Sequence, residues 1–105
     1  MATYKGVEYK VLYKIVDKKY GFTDITFDSM KKAEKYLKKD FLRDFYEIHV
    51  LAAEILPSGV LAPGYSYPTE KEAVAYLKMS LDRRWDRDNY RDAFESKEYK
   101  VEDYM

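Results

Sequence analysis

The stretch Phe27–Lys38, FDSMKKAEKYLK, returns 40 residues later as Tyr67–Lys78, YPTEKEAVAYLK. Each copy places an aromatic residue two positions before a hydroxyl residue that can cap a helix, and then repeats Ala, Tyr, Leu and Lys at the same spacing. Such an internal repeat indicates that one supersecondary unit occurs twice and that neighbouring units bury their apolar faces together.

The segment before each copy alternates in the way that a half-buried β-strand does. The apolar positions of the two segments align at a shift of 37 residues: Tyr9, Val11, Tyr13 and Ile15 with Tyr46, Ile48, Val50 and Ala52. Gly21 in the first unit, and Pro57-Ser58-Gly59 with Pro63-Gly64 in the second, predict the turns that follow. Return strands are expected at about Phe22–Phe27 and Tyr65–Tyr67.

Each unit should then form a helix. Ser29 or Asp28 caps a first helix of about Met30 to Asp44, and its inner stripe is Met30, Ala33, Leu37 and Phe41. Thr69 and Glu72 form a capping box for the second helix, whose inner face is Ala73, Val74, Leu77, Leu81 and Trp85. A break is expected near Asp86 to Asp88, followed by a short helix over about Asn89 to Ser96 that buries Tyr90, Ala93 and Phe94.

The tail repeats a strand motif, since Glu98–Val101, EYKV, is identical to Glu8–Val11. It predicts a fifth strand that either closes an edge of the sheet or pairs in trans with another chain. The whole chain is therefore expected to be one α+β domain, 1–105, of tandem ββα-ββα units with pseudo-two-fold symmetry, covering about 4–44 and 45–85. The C-terminal helix and strand occupy about 86–105. An antiparallel sheet of four to five strands carries both helices on one face. The other face of the sheet is expected to point to solvent or to a partner. It carries these residues: Glu8, Lys10, Leu12, Lys14, Thr26, Glu47, His49 and Leu51.

Composition limits the class of protein. The chain has 105 residues and no cysteine, which excludes disulfides, thiolate nucleophiles and cysteine metal sites. No signal peptide is expected, and no run approaches the roughly 18 apolar residues of a membrane span, so a soluble cytoplasmic protein without a membrane partner is predicted. Residues 1–43 carry eleven Lys and Arg against six Asp and Glu, whereas 44–105 carry eight against thirteen. These oppositely charged halves, or a sheet edge, also favour a homo-oligomer, with ordinary solvated surface as the alternative.

Signals of catalysis are scarce. His49 is the single histidine, and neither a serine elbow nor a glycine-rich phosphate loop accompanies it. His49 and Glu47 share a strand face, but no second ligand pair has metal-binding spacing. The sequence thus predicts a protein that is not an enzyme and that has no catalytic residue, metal or cofactor.

A basic surface favours nucleic-acid binding as an alternative function. The candidate residues are Lys18, Lys19, Lys31, Lys35, Lys38 and Lys39. The segment Phe27–Lys38 and its copy are similar to the sheet-plus-helix units of integrase arm domains. That resemblance implies DNA binding through a basic exposed sheet, a face that Glu8 and Glu47 interrupt here. A lysine-rich solvated helix face explains the same residues.

Protein binding is the leading hypothesis. Trp, Tyr and Arg are enriched at binding hot spots, and the segment Leu81–Asp92 provides six candidates: Arg83, Arg84, Trp85, Arg87, Tyr90 and Arg91. Trp85 could instead end the core stripe, and the arginines could pair with aspartates three or four residues away. Small size, Lys- and Tyr-rich composition and missing catalytic groups resemble small phage-encoded accessory or inhibitor proteins, which implies an inhibitor or adaptor. A small-ligand pocket between the units, lined by Tyr and closed by the proline-containing loop, is a further alternative.

Overall fold

The computed structural model describes residues 2–21, 23, 25–39 and 42–105 and has an α+β fold. Its five strands form one antiparallel sheet: β1 (Ala2–Tyr4), β2 (Val7–Asp17), β3 (Thr26–Phe27), β4 (Tyr46–Ile55) and β5 (Leu61–Ala62). The helices are α1 (Met30–Leu37), α2 (Glu70–Asn89) and α3 (Arg91–Ser96), with 3₁₀ turns at Leu42–Asp44 and Val101–Tyr104. The predicted class and antiparallel sheet are confirmed. None of the described helices has the length and apolar character that crossing a membrane requires.

The long strands β2 and β4 form the centre of the sheet. They pair over nine positions, from Tyr9 opposite Glu54 to Asp17 opposite Tyr46. β1 and β3 both pair with the edge of β2 that faces away from β4. β5 pairs with the edge of β4 that faces away from β2. The two most strongly alternating segments of the sequence therefore pair with each other.

One row of side chains crosses the sheet. Phe27 in β3 pairs with Tyr13 of β2, which pairs with Val50 of β4. Val50 in turn forms an isolated bridge with Tyr67. Because directly opposed residues of antiparallel strands point to the same face, this row marks one face of the sheet from edge to edge.

The helices α1 and α2 both pack on the face that carries this row. The ring of Tyr36 in α1 lies 5.5 Å from that of Phe27. The ring of Tyr76 in α2 stacks on Tyr67, with centroids 4.3 Å apart and planes 6° from parallel. The molecule is 20 Å thick in its shortest direction, which fits a sheet covered by a single helix layer.

Hydroxyl side chains begin both helices, as the sequence predicts. The Ser29 hydroxyl accepts a hydrogen bond from the backbone N–H of Lys32, and the Thr69 hydroxyl accepts one from Glu72, each at 3.2 Å. Each cap satisfies a backbone donor that the first helical turn leaves without a partner.

The core lies between the sheet and these helices. Ile15 and Val50 are its largest fully buried side chains. Ala33 and Ala73, the alanines that the repeat shares, are also buried. Small side chains at these positions let both helix backbones approach the sheet closely.

The first helix is shorter than predicted. A helix from Met30 to Asp44 was expected, whereas α1 has eight residues. At its end the Lys39 N–H donates to the Tyr36 carbonyl at 3.2 Å, an i to i+3 bond that tightens the last turn. Phe41, the last member of the predicted inner stripe, lies outside the described residues.

The return strand of the first unit is also shorter than the predicted Phe22–Phe27. The Ile15 N–H donates to the Ile25 carbonyl at 2.9 Å, which continues the pairing by one bond before β3. Next to it, the Thr23 hydroxyl donates to the Ile15 carbonyl. A side chain thus takes the place of backbone pairing at this position. Phe22 lies outside the described residues.

The second helix is longer than predicted. Instead of breaking at residues 86–88, α2 continues to Asn89, and the backbone leaves helical geometry at Tyr90, with φ −139° and ψ 70°. A break was expected because a continued core face would carry Arg84, Asp88, Asp92 and Glu95. In the structure Arg84 binds Glu54 near the end of β4. Asp88, the next polar residue on this face, is exposed, so the helix continues without burying it.

The short C-terminal helix begins further along the chain than predicted. α3 begins at Arg91 instead of Asn89. Phe94 is half-buried, but Tyr90 and Ala93 are exposed, contrary to the prediction that all three are buried.

The predicted strand Glu98–Val101 is wrong. Val101 begins a 3₁₀ turn, and the Tyr99 hydroxyl donates to the carboxylate of Asp86 in α2 at 2.5 Å. The tail is attached to α2 through this side-chain bond, and β1 pairs with the first residues of β2. The fifth strand of the sheet therefore comes from the N-terminus.

The face of the sheet opposite the helices is less exposed than predicted. Glu8, Glu47 and Thr26 are exposed, but Leu51 is only 4% exposed. Leu51 pairs with Leu12 at the middle of the two long strands. Val16 and Ala53, which lie on the same face, are also buried, so part of the core lies on this side of the sheet.

Candidate protein-interaction surface

Asp82 attaches both ends of the chain to α2. Asp82 is only 7% exposed. Its carboxylate accepts hydrogen bonds from the Tyr4 hydroxyl at 3.1 Å and the Tyr104 hydroxyl at 2.6 Å. The Lys5 ammonium lies 2.6 Å from the same carboxylate. β1 and the C-terminal turn therefore meet at one side chain, a cluster for which the sequence offers no local signal.

The charge of Asp82 is stabilised by its partners. Burial raises the pKa of this carboxyl and is the largest single influence on it. Hydrogen bonds from Lys5, Tyr104 and Tyr4 outweigh burial together, so the pKa lies below its usual value. The hydrogen bond to Asp82 also raises the pKa of Lys5. The cluster is thus an ion pair with two phenol donors.

Asp86, one turn further along α2, holds the tail. It accepts the Tyr99 hydroxyl, and the Lys97 ammonium lies 3.8 Å away. Burial and the bond to Asp86 raise the pKa of Tyr99 to about 12. The guanidinium of Arg83 lies 5.7 Å from the centre of the Tyr99 ring, a cation–π contact. The tail therefore braces the C-terminal half of α2.

Trp85 projects from this braced part of the helix. The sequence places it at the end of the core stripe, and in the structure it is 49% exposed. A shallow depression of about 80 Å³ beside it is lined by Lys5, Val7, Leu81, Arg84, Trp85 and Asp88. A large aromatic side chain is thus presented on a fixed helix.

The nearby arginines have different partners. Arg84 makes two hydrogen bonds to the Glu54 carboxylate, at 3.0 and 3.2 Å, and so links α2 to the sheet. Arg87 donates through Nε to the adjacent Asp88 at 3.3 Å. Arg91 pairs at a spacing of four, with its Nε 3.3 Å from Glu95, a glutamate instead of one of the aspartates that the sequence suggested.

The six predicted interface residues divide among three neighbouring surfaces: Trp85 and Arg84 on the first, Arg83 and Arg87 on the second, Tyr90 and Arg91 on the third. The second is a depression of about 190 Å³ that Phe94 also lines. Arg84 borders both the first and the second. The structure therefore does not gather the six side chains on one face.

A tyrosine-lined cleft lies between α2 and the edge of the sheet formed by β4 and β5. Its volume is about 290 Å³, and Tyr65, Tyr67, Tyr76 and Pro63 are among its lining residues. The sequence predicts a pocket of this composition between the two units, whereas this cleft lies within the second. Aromatic residues around a proline turn were the available signal, but only the fold brings Tyr76 to them.

The predicted nucleic-acid residues lie at the surface. Those of the first helix and its end are all exposed: Lys31, Lys35, Lys38 and Lys39. In the hairpin, the Lys18 ammonium donates to the Arg43 carbonyl at 2.9 Å, and Lys19 lies 5.3 Å from the centre of the Tyr20 ring. α1 thus presents a basic surface, while the hairpin lysines already have contacts.

His49 lies in the middle of β4, and its Nε2 is 3.0 Å from the Glu47 carboxylate. Within the described part of the chain, no three His, Asp or Glu side chains gather where they could hold a metal ion. His49 therefore has a neighbouring carboxylate as its partner.

Comparison of the chain with protein-family models, with curated proteins and with solved structures found no match. Function is therefore inferred from the contacts, exposure and charge of the described residues.

Proposed function

We propose that this chain is a small non-enzymatic protein-binding module, an inhibitor or adaptor of the phage type, that captures a protein partner with Trp85 and the side chains around it. The observation that carries the proposal is a half-exposed tryptophan on a helix that both chain ends brace. Trp is among the residues enriched at binding hot spots. Bracing favours affinity because a preformed surface loses little conformational entropy on binding.

The surroundings of Trp85 support this role. Val7 extends the apolar area beside the indole, the buried Leu81 also lines the depression, and Lys5 and Asp88 add charges of opposite sign. An apolar centre with a polar rim is the usual anatomy of a protein interface. The indole would fill an apolar pocket of the partner while the rim sets its orientation.

Trp85→Ala tests the proposal. A partner that co-purifies with the wild-type chain from a host lysate should bind the variant at least about 30-fold more weakly by calorimetry, the loss typical of a hot-spot residue. Tyr20→Ala is the matched control, because Tyr20 is also an exposed aromatic residue but lies in the hairpin after β2. Equal binding by wild type and Trp85→Ala would rule out this surface.

Nucleic-acid binding through α1 is a second candidate function. It is favoured by the exposed lysines of that helix, whereas the zero net charge of the chain opposes it. Lys35→Gln with Lys38→Gln should weaken binding and reduce its salt dependence. With fewer phosphate contacts, fewer counterions are released when the protein binds. A gel shift that shows no binding at low salt would exclude this function.

We further propose that the chain is a tandem ββα repeat with pseudo-two-fold symmetry. Tyr13 corresponds to Val50 in the sequence alignment of the units, and the same two residues are paired in the sheet. A two-fold axis through that pair would exchange Phe27 with Tyr67, which lie at opposite ends of the row. The proposal fails if, in a crystal structure, no two-fold rotation superposes β2, β3 and α1 on β4, the segment that ends at Tyr67 and α2.

A further inference from the structure

Two depressions join along one face of α2. The tyrosine-lined cleft and the arginine-lined depression share Ser80. Positions three, four and seven residues apart lie on one face of a helix, and this face carries Ala73, Tyr76, Ser80, Arg83 and Arg87. We call the combined depression the α2 groove.

The first half of the α2 groove is aromatic. Tyr65 is 86% exposed, and Tyr67 and Tyr76 stack beside it. Burial, followed by the neighbouring phenols of Tyr76 and Tyr65, raises the pKa of Tyr67, which is consistent with three hydroxyls close together. Pro63 and small alanines complete the walls. This half suits a flat apolar side chain.

The second half is basic. Arg83 and Arg87 line it together with the half-buried ring of Phe94. Arg87 uses its Nε for Asp88, and within the described residues its terminal nitrogens make no hydrogen bond. A guanidinium carries five N–H donors in a planar fork that matches a carboxylate. Arg84, between the halves, is already neutralised by Glu54.

We propose that the α2 groove binds an extended peptide segment of a second protein, with an aromatic or proline side chain in the tyrosine half and a carboxylate against Arg83 and Arg87. Aromatic-lined grooves recognise extended and proline-containing segments in this way. The cleft of about 290 Å³ lies at the lower limit of sites for drug-sized ligands, which favours a single side chain over a whole cofactor.

The helix rise sets the spacing of the peptide. Arg83 and Arg87 follow Tyr76 by seven and eleven residues, which is about 10 and 16 Å along α2. An extended chain advances about 3.3 Å per residue, so the acidic residue lies about three to five positions from the apolar one. A phosphate backbone carries charge along the whole path and would meet the Glu54 carboxylate in the tyrosine half, whereas the peptide places its charge only in the arginine half. This site does not depend on Trp85, which lines a separate depression.

An NMR titration of the ¹⁵N-labelled chain with the capped peptide Pro-Phe-Gly-Ser-Glu-Glu tests the proposal. Saturable shifts should be centred on the α2 groove. A peptide with Gln-Gln in place of Glu-Glu should bind about tenfold more weakly, since charge-assisted hydrogen bonds are about twice as strong as neutral ones. Tyr65→Ala, and Arg83→Gln with Arg87→Gln, should each weaken binding by about tenfold. Thermal unfolding checks that each variant is folded.

Arg91→Gln is the matched control, since Arg91 is exposed on α3 outside the α2 groove, and it should bind as wild type does. Trp85→Ala should also retain peptide binding, which separates failure of this site from failure of the proposed function. The proposal is overturned by the absence of saturable shifts up to about 1 mM peptide, or by equal affinity for the Glu and Gln peptides. Tighter binding of a thymidine oligonucleotide at the same residues would equally overturn it.

Discussion

Replacement of Asp82 by asparagine should lower the free energy of unfolding by about 2–3 kcal/mol. The substitution keeps the side-chain size but removes the charge that Tyr4, Tyr104 and Lys5 contact. A hydrogen bond to a charged group contributes roughly 1.5–3 kcal/mol, against about 1 for a neutral bond, so each converted contact costs on the order of 1 kcal/mol. The half-exposed Lys5 contributes least, because solvent screens its charge.

Urea unfolding followed by Trp85 fluorescence and by circular dichroism measures this loss, provided that the two transitions coincide. Asp88→Asn is the matched control, since Asp88 is an exposed aspartate on the same helix, and its effect should stay within about 0.5 kcal/mol. A loss below about 1 kcal/mol for Asp82→Asn would refute an anchoring role for the three contacts. An equal loss for both variants would mean that the effect reflects the charge of α2.

The same cluster predicts how stability depends on pH. The folded pKa of Asp82 lies below its ordinary value of 3.8, so its contribution is complete above about pH 4 and is lost as the pH falls through the lower folded pKa. Wild type should therefore lose stability more steeply in acid than Asp82→Asn does. Tyr99 acts at the other extreme, because its pKa is raised to about 12. Its contribution is complete below about pH 10 and is lost as the pH rises through the folded pKa. Equal acid slopes for both proteins would contradict the assignment to Asp82.

Three further contacts give testable energies. Thr69→Ala removes the cap of α2 and should lower the free energy of unfolding in urea by about 1 kcal/mol. Thr69→Ser keeps the capping hydroxyl and should retain most of this stability. A double-mutant cycle of Tyr67→Leu and Tyr76→Leu should give a coupling of about 0.5–1.5 kcal/mol, and a value near zero would mean that stacking adds nothing beyond burial. Arg84→Lys should lose most of the coupling of roughly 0.5–1 kcal/mol with Glu54, because an ammonium cannot form the bidentate contact. An unchanged coupling would argue against a bidentate contribution to stability.

Several features of the fold follow from local sequence because their causes are local. The Thr69 cap needs only a hydroxyl and a nearby backbone N–H, and it forms where the sequence places it. The alternation of side-chain character in Val7–Asp17 and Tyr46–Ile55 has the period of a β-strand, and both segments form long strands.

Other features could not be read locally, because they depend on contacts between distant residues. The predicted tail strand fails because Tyr99 binds a carboxylate on α2 instead of a sheet edge. The predicted break in α2 fails because the polar residues of this stretch find partners that are distant in the sequence: Arg84 binds Glu54, and Asp86 accepts the Tyr99 hydroxyl. Similarly, the six predicted interface side chains are adjacent in sequence but point to three surfaces of the helical segment.

The sequence by itself determined the α+β class, the antiparallel pattern and the start of both long helices, since hydrophobic period and capping act within a few residues. The tertiary structure alone decided that Asp82 joins the two chain ends and that Trp85 stays half-exposed. It also decided that the tyrosines of the α2 groove meet. The physical reason is distance along the chain: Tyr4 and Asp82 are 78 residues apart, and no local pattern records which buried charge a distant hydroxyl will reach.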